Sequence, residues 1–122
     1  MESFILLFLD KREELSELFI QHMNMTAIAV FISLMIGVPL GVIVTKHKRL
    51  ADFVIGFANV LQSIPSIALL AFAVPFVGIG ERPAILMVIV YSLLPILKNT
   101  YTGIKGIDPK MLEVARGLGM ST

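Results

Sequence analysis

Three stretches without a single charged side chain decide what this chain can fold into: Met25 to Val44, Phe53 to Gly80 and Pro83 to Leu97. With 57% hydrophobic and only 16% charged residues among 122, and a mean hydropathy of +0.89, the chain is too apolar for an ordinary soluble domain. It reads as an all-α integral membrane helical bundle, because helices satisfy their backbone polar groups internally. The first run has twenty residues, which at ~1.5 Å per residue matches a hydrocarbon core about 30 Å thick. It is expected to span over residues 25–45. On it Ala29, Ser33, Gly37 and Gly41 recur every fourth residue, leaving one face almost bare of side chains for close approach by another helix. That face serves either packing within one bundle or dimerisation, and Pro39 is expected to kink the helix.

The second run is longer than one upright span and too short for two, so one tilted or broken helix over 53–77 is expected. Pro75, Gly78 and Gly80 should end it and lead into an outer turn at Glu81-Arg82. Asn59, Gln62, Ser63 and Ser66 share one face by their spacing, with Pro65 freeing a backbone carbonyl beside them. This polar stripe is either the wall of a solute path or a set of interhelical hydrogen bonds. The third run gives a span over 83–101, on which Lys98 snorkels at the end and Ser92 and Asn99 lie seven apart on one side.

Charge placement sets the orientation. Lys46, Lys48 and Arg49 crowd one short loop, and Lys98, Lys105, Lys110 and Arg116 outnumber Asp108 and Glu113 near the other end. Both segments are expected on the cytoplasmic side, with the N-terminus outside and three crossings between. Residues 1–22 hold Phe4, Phe8, Leu15, Leu18 and Phe19 at helical spacing. They form either an amphipathic segment, extracytoplasmic or interfacial, or a plain extension of the next helix. The acidic Glu2 and the short apolar run before Asp10 do not suit a cleaved signal peptide, so the N-terminus is expected to be retained.

The last fifteen residues read as a short water-facing helix over 109–119. Asp108 caps it, Pro109 fits its first position, and Gly117 and Gly119 mark its stop. Met111, Ala115 and Leu118 fall on one narrow apolar face, while Lys110, Glu113 and Arg116 lie away from it. A helix this short is marginal in water and needs something to dock on.

Several chemistries are missing. There is no cysteine and there are only two histidines, so disulfide, thiolate and metal-cluster sites are excluded. None of the apolar runs carries Asp, Glu, Lys, Arg or His, so no embedded proton relay or charged ion site is present. There is no nucleotide-binding lysine loop and no nucleophile–base constellation. The chain is expected to be no enzyme and to need no cofactor, and its basic clusters, set between apolar runs, do not read as a nucleic-acid surface. Energy for any transport must come from elsewhere.

Glu113-Val-Ala115 followed by Gly119 resembles the EAA signature of permease subunits in bacterial binding-protein-dependent ABC importers, with Val114 in place of an alanine. Leu61 to Leu70 and Tyr91 to Tyr101 resemble the osmoprotectant branch, which imports glycine betaine, carnitine or choline. The resemblance covers residues ~25 to 122. It implies an incomplete MetI-like permease fold: three transmembrane helices plus the start of a cytoplasmic coupling helix, with 23–122 as the N-terminal part of the permease domain. The signature normally continues beyond this point and two more spans follow it, so the chain is expected to be an artificially truncated product or a gene fragment. Met111, Leu112, Glu113, Ala115, Arg116, Leu118 and Gly119 would face an ABC ATPase subunit, and Asn59, Gln62, Ser63, Ser66, Ser92 and Asn99 would line the path. The other implied partners are a second permease subunit, the same or homologous, an extracytoplasmic solute-binding protein and the lipid bilayer of the bacterial cell membrane. The competing reading is a small helical membrane scaffold that oligomerises through the Ala29 to Gly41 face.

Overall fold

A computed structural model describes residues 1–121; Thr122, the last position of the 23–122 segment, lies outside the described residues. These form α1 (Glu2–Asp10), α2 (Arg12–Val44), α3 (Lys48–Ser63), α4 (Ser66–Val77), α5 (Glu81–Lys105) and α6 (Pro109–Gly117). Among the described residues the secondary structure is helical throughout. Two helices, α2 with 33 residues and α5 with 25, are long and apolar enough to cross a membrane, and the α3–α4 pair makes a third if the two halves are counted as one span.

The fold is organised by α2 and α5, which pack along most of their lengths. The small-residue face of α2 makes this possible. Ala29, Ser33, Gly37 and Gly41 are all buried, together with Val44 at the helix end. A methyl group built at Gly37 would stand 2.9 Å from Ile96 Cγ2, and one at Gly41 would stand 2.6 Å from Thr100 Cβ and 3.0 Å from the Leu97 carbonyl. No side chain larger than hydrogen fits at Gly41 without moving α5. Ser33 closes the seam with its hydroxyl, which donates within hydrogen-bond distance of the Ala29 carbonyl (2.8 Å) and the Ile89 carbonyl across the interface (3.0 Å). The face is therefore occupied inside the chain. This corrects the reading of it as a free oligomerisation surface.

The apolar segment that follows is broken, not merely tilted. α3 and α4 meet at a bend of 96° around Ile64 and Pro65. Proline has no N–H to donate and crowds the preceding turn, so α3 closes with the Ile64 N–H on the Leu61 carbonyl, while Pro65 becomes the cap of α4. Pro75 does not end α4 but sits inside its last turn; the chain turns at Gly78 (φ 90°) and Gly80 (φ 121°), a conformation open to glycine. The turn thus lies before Glu81-Arg82, which already open α5. Glu81 there accepts a hydrogen bond from the Gln21 side chain of α2, tying the two helices at that end.

Other boundaries refine the sequence expectation, and for residues 12–22 the helix extension is the alternative that is seen. α2 runs unbroken from Arg12, so residues 12–22 extend the first span helix, and only α1 is set off, at Lys11. The loop between α2 and α3 is just Thr45 to His47; Lys48 and Arg49 stand in the first turn of α3. α5 passes Pro95 without interruption and ends at Lys105, four residues beyond the expected 101.

Candidate functional site

Two faces of the molecule gather the residues singled out from the sequence. The first lies where α3 approaches α5. Asn59 and Gln62 sit one turn apart near the end of α3 and are exposed, and both side-chain oxygens accept from the ammonium of Lys98, at 2.7 Å and 3.1 Å. Lysine only donates, so each carboxamide must turn its oxygen toward it and its NH2 group away. Ser63 bonds back to the Asn59 carbonyl of its own helix at 2.9 Å. Ser66 is not part of this group. The bend after Ser63 ends the helical register, and Ser66 instead lines a cavity of about 400 Å³ between α4 and α5 with Ile67, Leu70, Ala84, Met87, Val88 and Tyr91. The four-residue stripe read from spacing is thereby split in two. Ser92 is half-buried on α5, and Asn99 is exposed.

Two residues of this region escaped the sequence reading. Tyr91 donates its hydroxyl to the Ile64 carbonyl, which has lost its helical acceptor role because the Ala68 N–H turns to Pro65 instead. The signal was available: a tyrosine in an apolar run needs a hydrogen-bond partner, and a proline-freed carbonyl needs a donor. Lys98 was expected to snorkel at the end of the 83–101 span, and its ammonium turns instead to Asn59 and Gln62 of α3.

The second face belongs to α6. Its start is as the sequence indicates: Pro109 is the first helical residue, and the Asp108 carboxylate accepts from the Lys110 N–H at 2.9 Å. Its stop is more specific than a pair of glycines. Gly117 is the last helical residue, while Gly119 takes φ 82°. The Met120 N–H returns to the Ala115 carbonyl and the Gly119 N–H to the Arg116 carbonyl, each at 3.0 Å. That pair of bonds is the Schellman closure, which needs a left-handed residue where Gly119 stands. Capped at both ends, α6 still packs on none of α1 to α5 among the described residues. Met111, Val114, Leu118 and Met120 are each more than 60% exposed, and with Lys110 and the half-buried Ala115 they outline a shallow apolar groove. Leu112, Glu113 and Arg116 are exposed around it. Val114 widens the face beyond the Met111, Ala115, Leu118 stripe.

Comparison with known proteins gives this arrangement a context. Residues 33–122 match the family described as binding-protein-dependent transport system inner membrane component. The chain is 48% identical over 101 residues to the glycine betaine/carnitine/choline transport system permease protein OpuCB of Bacillus subtilis (strain 168), a match covering 83% of this chain and 46% of the relative. It is 46% identical over 101 residues to the choline transport system permease protein OpuBB of the same organism, again covering 83% and 46%. It is 44% identical over 118 residues to the osmoprotectant import permease protein OsmW of Salmonella typhimurium, covering 93% of this chain and 55% of the relative. The chain thus spans about half the length of the curated relatives it matches.

Proposed function

From the premise that this chain belongs to the family of binding-protein-dependent transport system inner membrane components, we propose that it forms part of the permease subunit of an ABC importer for small osmoprotectants of the glycine betaine, carnitine and choline type. The protein is embedded in the membrane, as its family and its two long apolar helices indicate. In this reading α2, the bent α3–α4 pair and α5 make three crossings, with the N-terminus outside and both basic segments in the cytoplasm. Asn59, Gln62, Ser63, Ser66, Ser92 and Asn99 contribute to the path. ATP hydrolysis takes place on a separate subunit, a second permease completes the path, and an extracytoplasmic binding protein delivers the solute.

The observation that carries the reading is α6. A short helix stabilised by its own caps, following a span and offering an apolar groove that nothing else among the described residues covers, has the properties of a docking element. Its groove takes the ATPase subunit, with Met111, Ala115 and Leu118 at the centre and Leu112, Glu113 and Arg116 around them. Gly119 holds the end of the helix in place. Ala115→Asp places a carboxylate against an apolar partner surface without a counter-charge, at a cost of several kcal/mol. The ATPase should then no longer co-purify with the assembled permease. Undiminished co-purification and undiminished uptake would remove α6 from this role.

A further inference from the structure

The polar groups along the proposed path are neutral, with one exception. Lys98 stands inside α5, seven residues before Lys105, or about 10 Å along the helix axis. It lies between Leu97 and Thr100, the two positions that pack on Gly41. An ionisable side chain within a membrane-spanning helix needs a partner. The partners present, Asn59 and Gln62, carry no charge, and among the described residues the one ion pair is Lys11–Glu14 at the opposite end of the chain. Lys98 is therefore held in position by two dipoles, with no counter-charge for it among the described residues.

The cluster has a definite chemical character. Two of the three ammonium N–H bonds are directed at carboxamide oxygens, which leaves the third. Each carboxamide that turns its oxygen to the lysine directs its NH2 group elsewhere, and both side chains are exposed. The surface presented is one cation surrounded by N–H donors, with its strongest acceptors already engaged. Its complement is a group with charge −1, two acceptor oxygens and no donor. A carboxylate has this form, and the charge-assisted bonds it would receive are about twice as strong as neutral ones. The same cluster repels a cation that has no carboxylate.

We infer that Lys98, Asn59 and Gln62 form a carboxylate-recognising station on the path, one that distinguishes quaternary ammonium solutes bearing a carboxylate from those bearing only a hydroxyl. The inference rests on the permease reading above and adds a selectivity to it. Asn59 and Gln62 aim the ammonium, and Lys98 receives the solute.

The test is a ratio, so that a general loss of transport does not enter it. In the assembled importer reconstituted with its ATPase and saturating binding protein, maximal uptake of glycine betaine is divided by that of choline. Lys98→Gln should lower the ratio about tenfold, the worth of one charge-assisted hydrogen bond, and Lys98→Arg should recover most of it. If Lys98→Gln does not assemble, Asn59→Asp neutralises the ammonium in place and should shift the ratio in the same direction. A ratio that stays unchanged while both rates fall together would mean that Lys98 clasps α3 or pairs with a protein carboxylate, and the inference would be wrong. If the unsubstituted importer takes up neither solute, the permease reading itself has failed.

Discussion

The α2–α5 seam and the α3–α4 bend lie side by side in one small bundle, yet they are held by opposite means. At the seam, side chains are removed. Hydrogen at Gly37 and Gly41 lets Ile96 and Thr100 close on the backbone, and the contact is continuous over several turns. At the bend, apolar contact is sparse, since Ala51 and Ala58 are the buried residues of α3 and Ala73 that of α4. Polar side chains of α5 hold it instead, Tyr91 at the Ile64 carbonyl and Lys98 at Asn59 and Gln62. In a bilayer, lipid competes with protein for apolar surface, so helices gain from meeting mainly through fit or hydrogen bonding. The seam uses fit, which is rigid. The bend uses hydrogen bonds, which can be exchanged for others at small cost.

The contrast is open to attack at three strengths. The largest effect should come from Pro65→Ala, because alanine is about 3 kcal/mol more favourable than proline within a helix and restores the missing donor. α3 and α4 should then straighten, and spin labels at Phe53 and Phe76 should move apart toward the ~35 Å of a continuous helix. An unchanged distance would show that tertiary contacts, not proline, set the 96° bend. Gly41→Leu should follow, forcing α5 off Thr100 at a cost of about 1–3 kcal/mol and lowering the midpoint of denaturant unfolding in micelles. A tolerated leucine would mean that the seam is not close-packed. The smallest effect is expected at Ser33, where alanine keeps the fit and removes one interhelical hydrogen bond, worth about 0.6 kcal/mol within a membrane protein. Tyr91→Phe should cost more than Ser33→Ala, since it leaves the Ile64 carbonyl without a donor while Ser33 spans two carbonyls that have other partners within their helices. Equal effects would erase the distinction between fit and pinning.

The same contrast explains which parts of the fold the sequence discloses. The seam is legible because its rule is local and periodic: a small residue every fourth position from Ala29 to Gly41 defines a face before any partner is known. α6 is legible at its start for a similar reason, since Asp108 and Pro109 act within a single turn. At its end Gly119 takes the left-handed conformation expected of a closing glycine, and Gly117 is the last helical residue. The bend is only half legible. Pro65 is conspicuous, but a proline inside an apolar run can kink a helix or divide it, and the choice depends on whether Tyr91, twenty-six residues later in the sequence, meets the freed carbonyl. The Asn59, Gln62, Ser63, Ser66 stripe failed for that reason, because helical spacing was carried across a point where the helix stops. Lys98 was read as snorkelling to the interface because its partners, Asn59 and Gln62, lie on another helix and no spacing rule reaches them.

The unbroken length of α2 has a mechanical consequence. Its 33 residues extend about 50 Å, some 20 Å more than the hydrocarbon core, and the tilts usual for membrane helices do not absorb the excess. Part of it must stand clear of the hydrocarbon as a stiff stalk. From the Gln21–Glu81 hydrogen bond to Val44 the helix is held against α5, so the stalk has a fixed fulcrum at Gln21. A rotation of about 10° about that point would carry the far tip, about 14 Å away where α1 is attached, through roughly 2 Å. Small rotations among the packed helices would thus be passed to α1 as ångström-scale displacements.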